Sequence, residues 1–151
     1  MAGTLSSPDS AGAMQIGTPN ILSMAPLTGT LKMIIEAGLD NIRAKSLMQT
    51  ETLIQLADAS LSEFNVRVVS PRDGDRRGGH VALAHTDAQQ ICRALRSHGV
   101  VPDFRPPDII RLCPSSLYTR FEECVTAMDR LHHIMETGEY REFPANRPLI
   151  P

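Results

Sequence analysis

Residues 99–118 read GVVPDFRPPDIIRLCPSSLY, a short span that sets two arginines and four prolines among apolar runs. Val100 and Val101 predict the start of a short strand. Arg105-Pro106-Pro107-Asp108 predicts a corner, because proline fixes φ and offers no N–H to a ladder. A second strand follows over residues 108–112 and is stopped by Pro114. Strand alternation puts Ile110 and Leu112 on one face and Ile109, Arg111 and Cys113 on the other. An arginine set between core aliphatics needs an anionic partner or a water-filled cleft. Its planar fork matches a carboxylate better than any other side chain does, which makes Arg111 the candidate carboxylate-binding residue.

Working outward, residues 1–13 (MAGTLSSPDSAGA) are small and polar and predict a disordered tail. Gly17-Thr18-Pro19-Asn20 reads as a turn. Pro26 opens a helix striped by Leu27, Leu31, Ile34 and Ile35, and Gly38 interrupts it. A second long helix is predicted from about Asp40 to Ser60, with Ile42, Leu47, Leu53, Ile54, Ala57 and Leu61 on its apolar face. Strands are predicted over residues 66–69 and 81–83, separated by the charged, glycine-rich loop SPRDGDRRGG at 70–79. Thr86 is the expected cap of a helix that turns Ala88, Ile91, Cys92 and Leu95 inward and ends at Gly99. Ser115 or Ser116 is the expected cap of the last helix. Its stripe is Leu117, Phe121, Cys124, Val125, Met128, Leu131, Ile134 and Met135. Residues 144–151 predict an extended tail. The pattern is α+β: long helices, then a short sheet with helices on one face.

Composition narrows the function classes. A chain of 151 residues with 42% hydrophobic and 21% charged residues suits one domain. A net charge of -2 gives no basic footprint for nucleic acid, and the absence of tryptophan leaves little for base stacking. Cys92, Cys113 and Cys124 lack metal-type spacing, and an odd count points to reduced thiols in a cytoplasmic protein. Neither a signal peptide nor a membrane helix is legible.

Four pieces, in order, carry a resemblance. They are Gly17-Thr18-Pro19 with Ile21-Leu22-Ser23, LDNIRAKSL at 39–47, RGGHVAL at 77–83, and the GVV-D-R-P-IIR run that leads into Leu117-Tyr118. Together they resemble the carboxy-terminal portion of the kynureninases, pyridoxal-phosphate enzymes of fold type I. The resemblance spans residues 14–143 and implies interdomain helices followed by the small domain. It implies that Arg111 holds the substrate α-carboxylate and that Thr18 reaches the cofactor phosphate across a dimer interface.

By the same resemblance, the activity is hydrolysis of L-kynurenine or 3-hydroxykynurenine to anthranilate or 3-hydroxyanthranilate plus L-alanine. That step belongs to tryptophan catabolism and NAD biosynthesis. The family's covalently bonding lysine lies upstream of the Gly-Thr-Pro segment, whereas Lys32 and Lys45 lie downstream of it. No catalytic residue is therefore expected in this chain, which reads as a portion inactive alone. It would work in a homodimer or with a complementary large-domain chain. Two other readings stand beside this one: a non-catalytic binding or dimerisation module, and another class V aminotransferase-like enzyme.

Other polar residues have plainer readings. Asp103 and Arg105 are expected to pair with each other. Arg76-Arg77 reads as a solvated charge run. Asp129, His132 and His133 invite a metal, but adjacent histidines diverge by about 100° on a helix and no third ligand is evident. His80 and His85 flank a strand without a nucleophile nearby. Cys113 is expected to pack.

Overall fold

The computed structural model describes residues 9–15 and 17–145, which divide into two compact units between Leu39 and Asp40.

In the first unit, Ser10 caps a 3-10 turn at Ala11–Met14, which overlaps the end of the stretch expected to be a disordered tail. Residues 1–8 of that stretch lie outside the described residues. Asn20 Oδ1 accepts from Ser23 N–H at 3.3 Å and caps the short helix α1 (Ile21–Met24). Helix α2 (Leu27–Ala37) follows Pro26 and ends at Gly38, whose φ of +79° only glycine adopts readily. The stripe predicted on α2 is present as sequence, but no residue of the helix is fully buried, and Leu27, Leu31 and Ile35 are exposed.

The second unit builds the core. Helix α3 (Leu39–Ser60) leads through a 3-10 turn to strand β1 (Arg67–Val68). A loop then reaches β2 (Val81–Ala84), helix α4 (Ala88–Ser97), β3 (Asp103–Arg105), β4 (Ile109–Leu112) and helix α5 (Phe121–Thr137). The strands form one antiparallel sheet in the order β1-β2-β4-β3. Register pairs Val81 with Leu112 and Leu83 with Ile110, so these four side chains share a face. Against it pack Leu53, Ile54 and Ala57 of α3, Ile91 and Leu95 of α4, and Met128, Leu131 and Ile134 of α5. The fold is the expected α+β layer, with its core between helices and one sheet face.

Three local expectations are corrected. Val100 and Val101 do not begin a strand. Gly99 (φ +76°) closes α4 by donating to Arg96 O at 3.0 Å, while Val100 N–H reaches back to Leu95 O at 2.9 Å. That pairing is a Schellman turn. It commits both backbone groups to the helix end, leaves Val101 83% exposed and delays β3 to Asp103. Thr86 does not cap α4: Asp87 occupies the cap position, and its N–H is taken by His85 Nδ1 at 3.0 Å.

Helix α5 starts after Arg120, beyond both serines. Thr119 Oγ1 accepts from Ser115 N–H and holds residues 115–119 as a turn. The helix then begins with Glu123 accepting from Arg120 N–H at 2.7 Å, a reach-back contact familiar from capping boxes. Of the predicted α5 stripe, Leu117, Phe121 and Val125 face solvent. The expected extended tail lies outside the described residues apart from Pro144 and Ala145.

Candidate functional site

The open face of the sheet follows from the same register. Arg111 stands opposite Ala82 on β2 and Asp103 on β3, while Ile109 stands opposite Ala84 and Arg105. Arg67 of β1 pairs with Ala84 and joins the same face. Alternation forces this arrangement, because Ile110 and Leu112 are drawn into the core and Arg111 between them must point away. Its side chain is 32% exposed. Its Nη2 donates to Asp103 Oδ2, and the same oxygen accepts from Arg105 Nε at 2.8 Å. Asp103 therefore pairs with Arg105 as expected and with Arg111 as well. Partial desolvation of Asp103 opposes ionisation, but the hydrogen bonds from Arg111 and Arg105 outweigh it and hold the carboxyl below its ordinary range. The Arg111 guanidinium makes no other hydrogen bond among the described residues.

Thr18 belongs to the other unit. It lies in an exposed loop before α1, and its hydroxyl makes no hydrogen bond among the described residues. The neighbouring chain is tied by Gln15 Nε2 donating to Gly17 O at 3.0 Å.

Arg77 departs most from expectation. It is 4% exposed rather than solvated. Its Nε donates to Thr50 Oγ1 at 3.1 Å, Nη2 to Glu51 at 2.8 Å and Nη1 to Arg72 O at 2.8 Å. Arg43 clamps the same loop by donating to Arg77 O at 2.9 Å and to Gly74 O at 2.6 Å. A Cβ on Gly79 would sit 3.3 Å from Ser46 Oγ, so the loop lies close on the helix. Gln49, fully buried, donates to Thr119 O at 2.8 Å. Ser46, Gln49 and Thr50 thus continue, as a polar end, the face of α3 that carries Leu53, Ile54 and Ala57. That i, i+3, i+4, i+7, i+8 run is the sequence signal for the buried polar end, although only its apolar half reads as a buried stripe.

A cavity of about 530 Å³ opens between β4, α3 and α5, with Leu53, Leu112, Cys113, Tyr118, Glu123 and Cys124 on its walls. Arg111 is not among its lining residues. Burial raises the Cys124 thiol above its usual range and Cys92 to about 12, so neither is a ready nucleophile. Cys113 is exposed and its thiol donates to Gly79 O at 3.4 Å. His132 stacks edge-on against Phe64, and His133 against His98. No group of three metal-ligating side chains occurs among the described residues, nor is any described helix long and apolar enough to cross a membrane.

Residues 42–131, which hold α3's buried face, the Arg77 loop and Arg111, match the family model of the kynureninase C-terminal domain. The chain belongs to the kynureninase family. It is 45% identical over 140 residues to a kynureninase of Geobacillus thermodenitrificans, covering 93% of this chain and 33% of that protein. It is 43% identical over 150 residues to that of Bacillus thuringiensis subsp. konkukian and 42% over 150 to that of Shouchella clausii, in each case 99% of this chain and 35% of the relative. The chain spans about a third of the length of these kynureninases.

Kynureninases use pyridoxal phosphate, and the residues present do not build a site for it by themselves. Lys32 is exposed on α2 and Lys45 is half-buried on α3, and neither borders the cavity described above. No tryptophan is available to stack on a ring. Thr18 offers one hydroxyl, without a hydrogen-bond partner among the described residues.

Proposed function

We propose that this chain is the carboxylate-binding part of a kynureninase that hydrolyses L-kynurenine or 3-hydroxykynurenine to anthranilate or 3-hydroxyanthranilate and L-alanine. The observation that carries this reading is Arg111. It is a half-buried guanidinium on the open face of the sheet, inside the family-matched segment, with donors not consumed by its neighbours. In this reading Arg111 grips the α-carboxylate through two parallel charge-assisted bonds and fixes the rotation of the substrate about Cα, an orientation contribution to rate. Thr18 donates its hydroxyl to the phosphate of pyridoxal phosphate. The remainder of the site comes from a lysine-bearing large domain, supplied in cis within a homodimer or in trans by a complementary chain, in the cytoplasm.

The chain's own lysines favour inactivity in isolation. The purified chain is expected neither to form an imine with pyridoxal phosphate nor to cleave kynurenine. Supplied with the amino-terminal two-thirds of the Geobacillus thermodenitrificans enzyme, it is expected to cleave kynurenine. An assembled complex that binds pyridoxal phosphate but leaves kynurenine intact would sink the enzymatic reading and leave a dimerisation module.

A further inference from the structure

The open sheet face carries three guanidiniums, Arg67, Arg105 and Arg111, and the strand residues there include one carboxylate, Asp103. We propose that Asp103 is a positioning residue, which sets the plane of the Arg111 fork and keeps one edge of it open to an incoming carboxylate. This inference rests on the carboxylate role of Arg111 proposed above.

The geometry supports it in two ways. Asp103 and Arg111 are direct register partners on β3 and β4, where cross-strand side chains meet at close range. Only one oxygen of Asp103 meets only one nitrogen of Arg111. That Nη2 carries two protons, one on each edge of the fork, so a single contact anchors the plane and leaves a complete two-proton edge. The charge count agrees. Oδ2 is shared between Arg111 and Arg105, so one anion quenches the repulsion of two cations and the trio keeps a net charge of one positive unit. Asp103 thereby orders the arginine without cancelling its attraction for an anion.

Charge counting alone and positioning predict opposite signs for the loss of Asp103. Removing an anion should strengthen carboxylate binding if charge alone matters. It should weaken binding if the fork must be held. The test follows the Arg111 Nε resonance of the 15N-labelled chain assembled with the unlabelled amino-terminal two-thirds of the Geobacillus thermodenitrificans enzyme, without pyridoxal phosphate so that no turnover occurs, and titrated with L-kynurenine and with its decarboxylated amine. In the parent complex the signal is expected to move with L-kynurenine and not with the amine. Asp103→Asn is expected to bind L-kynurenine about two- to tenfold more weakly, the cost of ordering one long side chain. Asp103→Glu is expected to recover most of that affinity, and Asp103→Ser serves the same comparison should the asparagine variant lose its dispersed amide spectrum. Equal or tighter binding by the charge-removing variant overturns the positioning role and leaves the role of Arg111 standing. A parent complex, folded and assembled, whose Arg111 signal ignores the carboxylate overturns both.

Discussion

Arg77 and Thr50 meet in the interior, Nε to Oγ1 at 3.1 Å, and fasten a glycine-rich loop to a helix that lies 27 residues earlier in the chain. The contact is enclosed, whereas the Glu51 carboxylate that accepts from Nη2 of the same guanidinium is 46% exposed. Burial decides which partner matters more. A charged donor lost from an enclosed network leaves acceptors unsatisfied, while a half-exposed acid can turn to water.

Arg77→Ala is therefore expected to destabilise the chain by about 2–4 kcal/mol. Glu51→Gln is expected to cost about 0–1 kcal/mol. Urea denaturation of the two variants checks the order, and equal losses would show that the ion pair, not the enclosed network, carries the stability.

Gly99→Ala should be destabilising by about 1–2 kcal/mol, because φ is +76° and the Schellman turn at the end of α4 depends on that conformation. The added methyl itself meets only Arg130 Nη1 at 3.4 Å, an ordinary contact, so the loss is conformational. Thermal denaturation against the parent measures it. An unchanged midpoint would mean that the turn tolerates another geometry.

Stability should fall in two steps on acidification. Burial lowers His85 below its ordinary 6.5, with Arg141 adding to it and Asp87 opposing. The unfolded chain then takes up a proton before the folded one, so stability drops as pH falls through the window just below 6.5. Asp103, and Asp58 beside Arg72, are lowered from 3.8, and their contribution is lost in the window just below that value. Denaturation midpoints across pH should show both steps, and His85→Gln should erase the upper one alone.

In the assembled enzyme, Arg111→Ala is expected to lose at least roughly tenfold in kcat/KM for kynurenine, since a bidentate charge-assisted pair contributes on the order of 1.5–3 kcal/mol. Arg111→Lys keeps the charge without the fork and should fall between the two. Retention of pyridoxal phosphate should not change in either. Thr18→Val should show the reverse, with weaker cofactor retention and a smaller effect on substrate. Both variants failing in the same parameter would argue against the division of labour.

How much could be read in advance depended on whether a residue's fate was settled locally. The faces of β4 were legible because two-residue alternation permits only one assignment once Ile110 and Leu112 go inward. The inward residues of α4 were legible from a short, complete stripe. The start of α5 was not. Ser115 and Ser116 have cap chemistry, but Thr119 captures the Ser115 N–H and the buried Gln49 captures the Thr119 carbonyl, so a contact 70 residues away keeps the segment a turn. The burial of Arg77 was hidden for the same reason, since its acceptors come from α3. Arg111 could be singled out as a candidate from its flanking aliphatics and from the family resemblance, whereas its bond to Asp103 depended on where β3 begins.

Strand β4 gives two neighbouring side chains opposite errands, and they cannot be renegotiated separately. If β4 slipped by one residue against β2, Arg111 would be driven among Leu83, Leu131 and Ile134 while Ile110 surfaced among the arginines. A charged fork with no acceptor in that interior is prohibitively costly. Oil on one side of the ribbon thus enforces the aim of the cation on the other, and any drift in aim is punished first as unfolding.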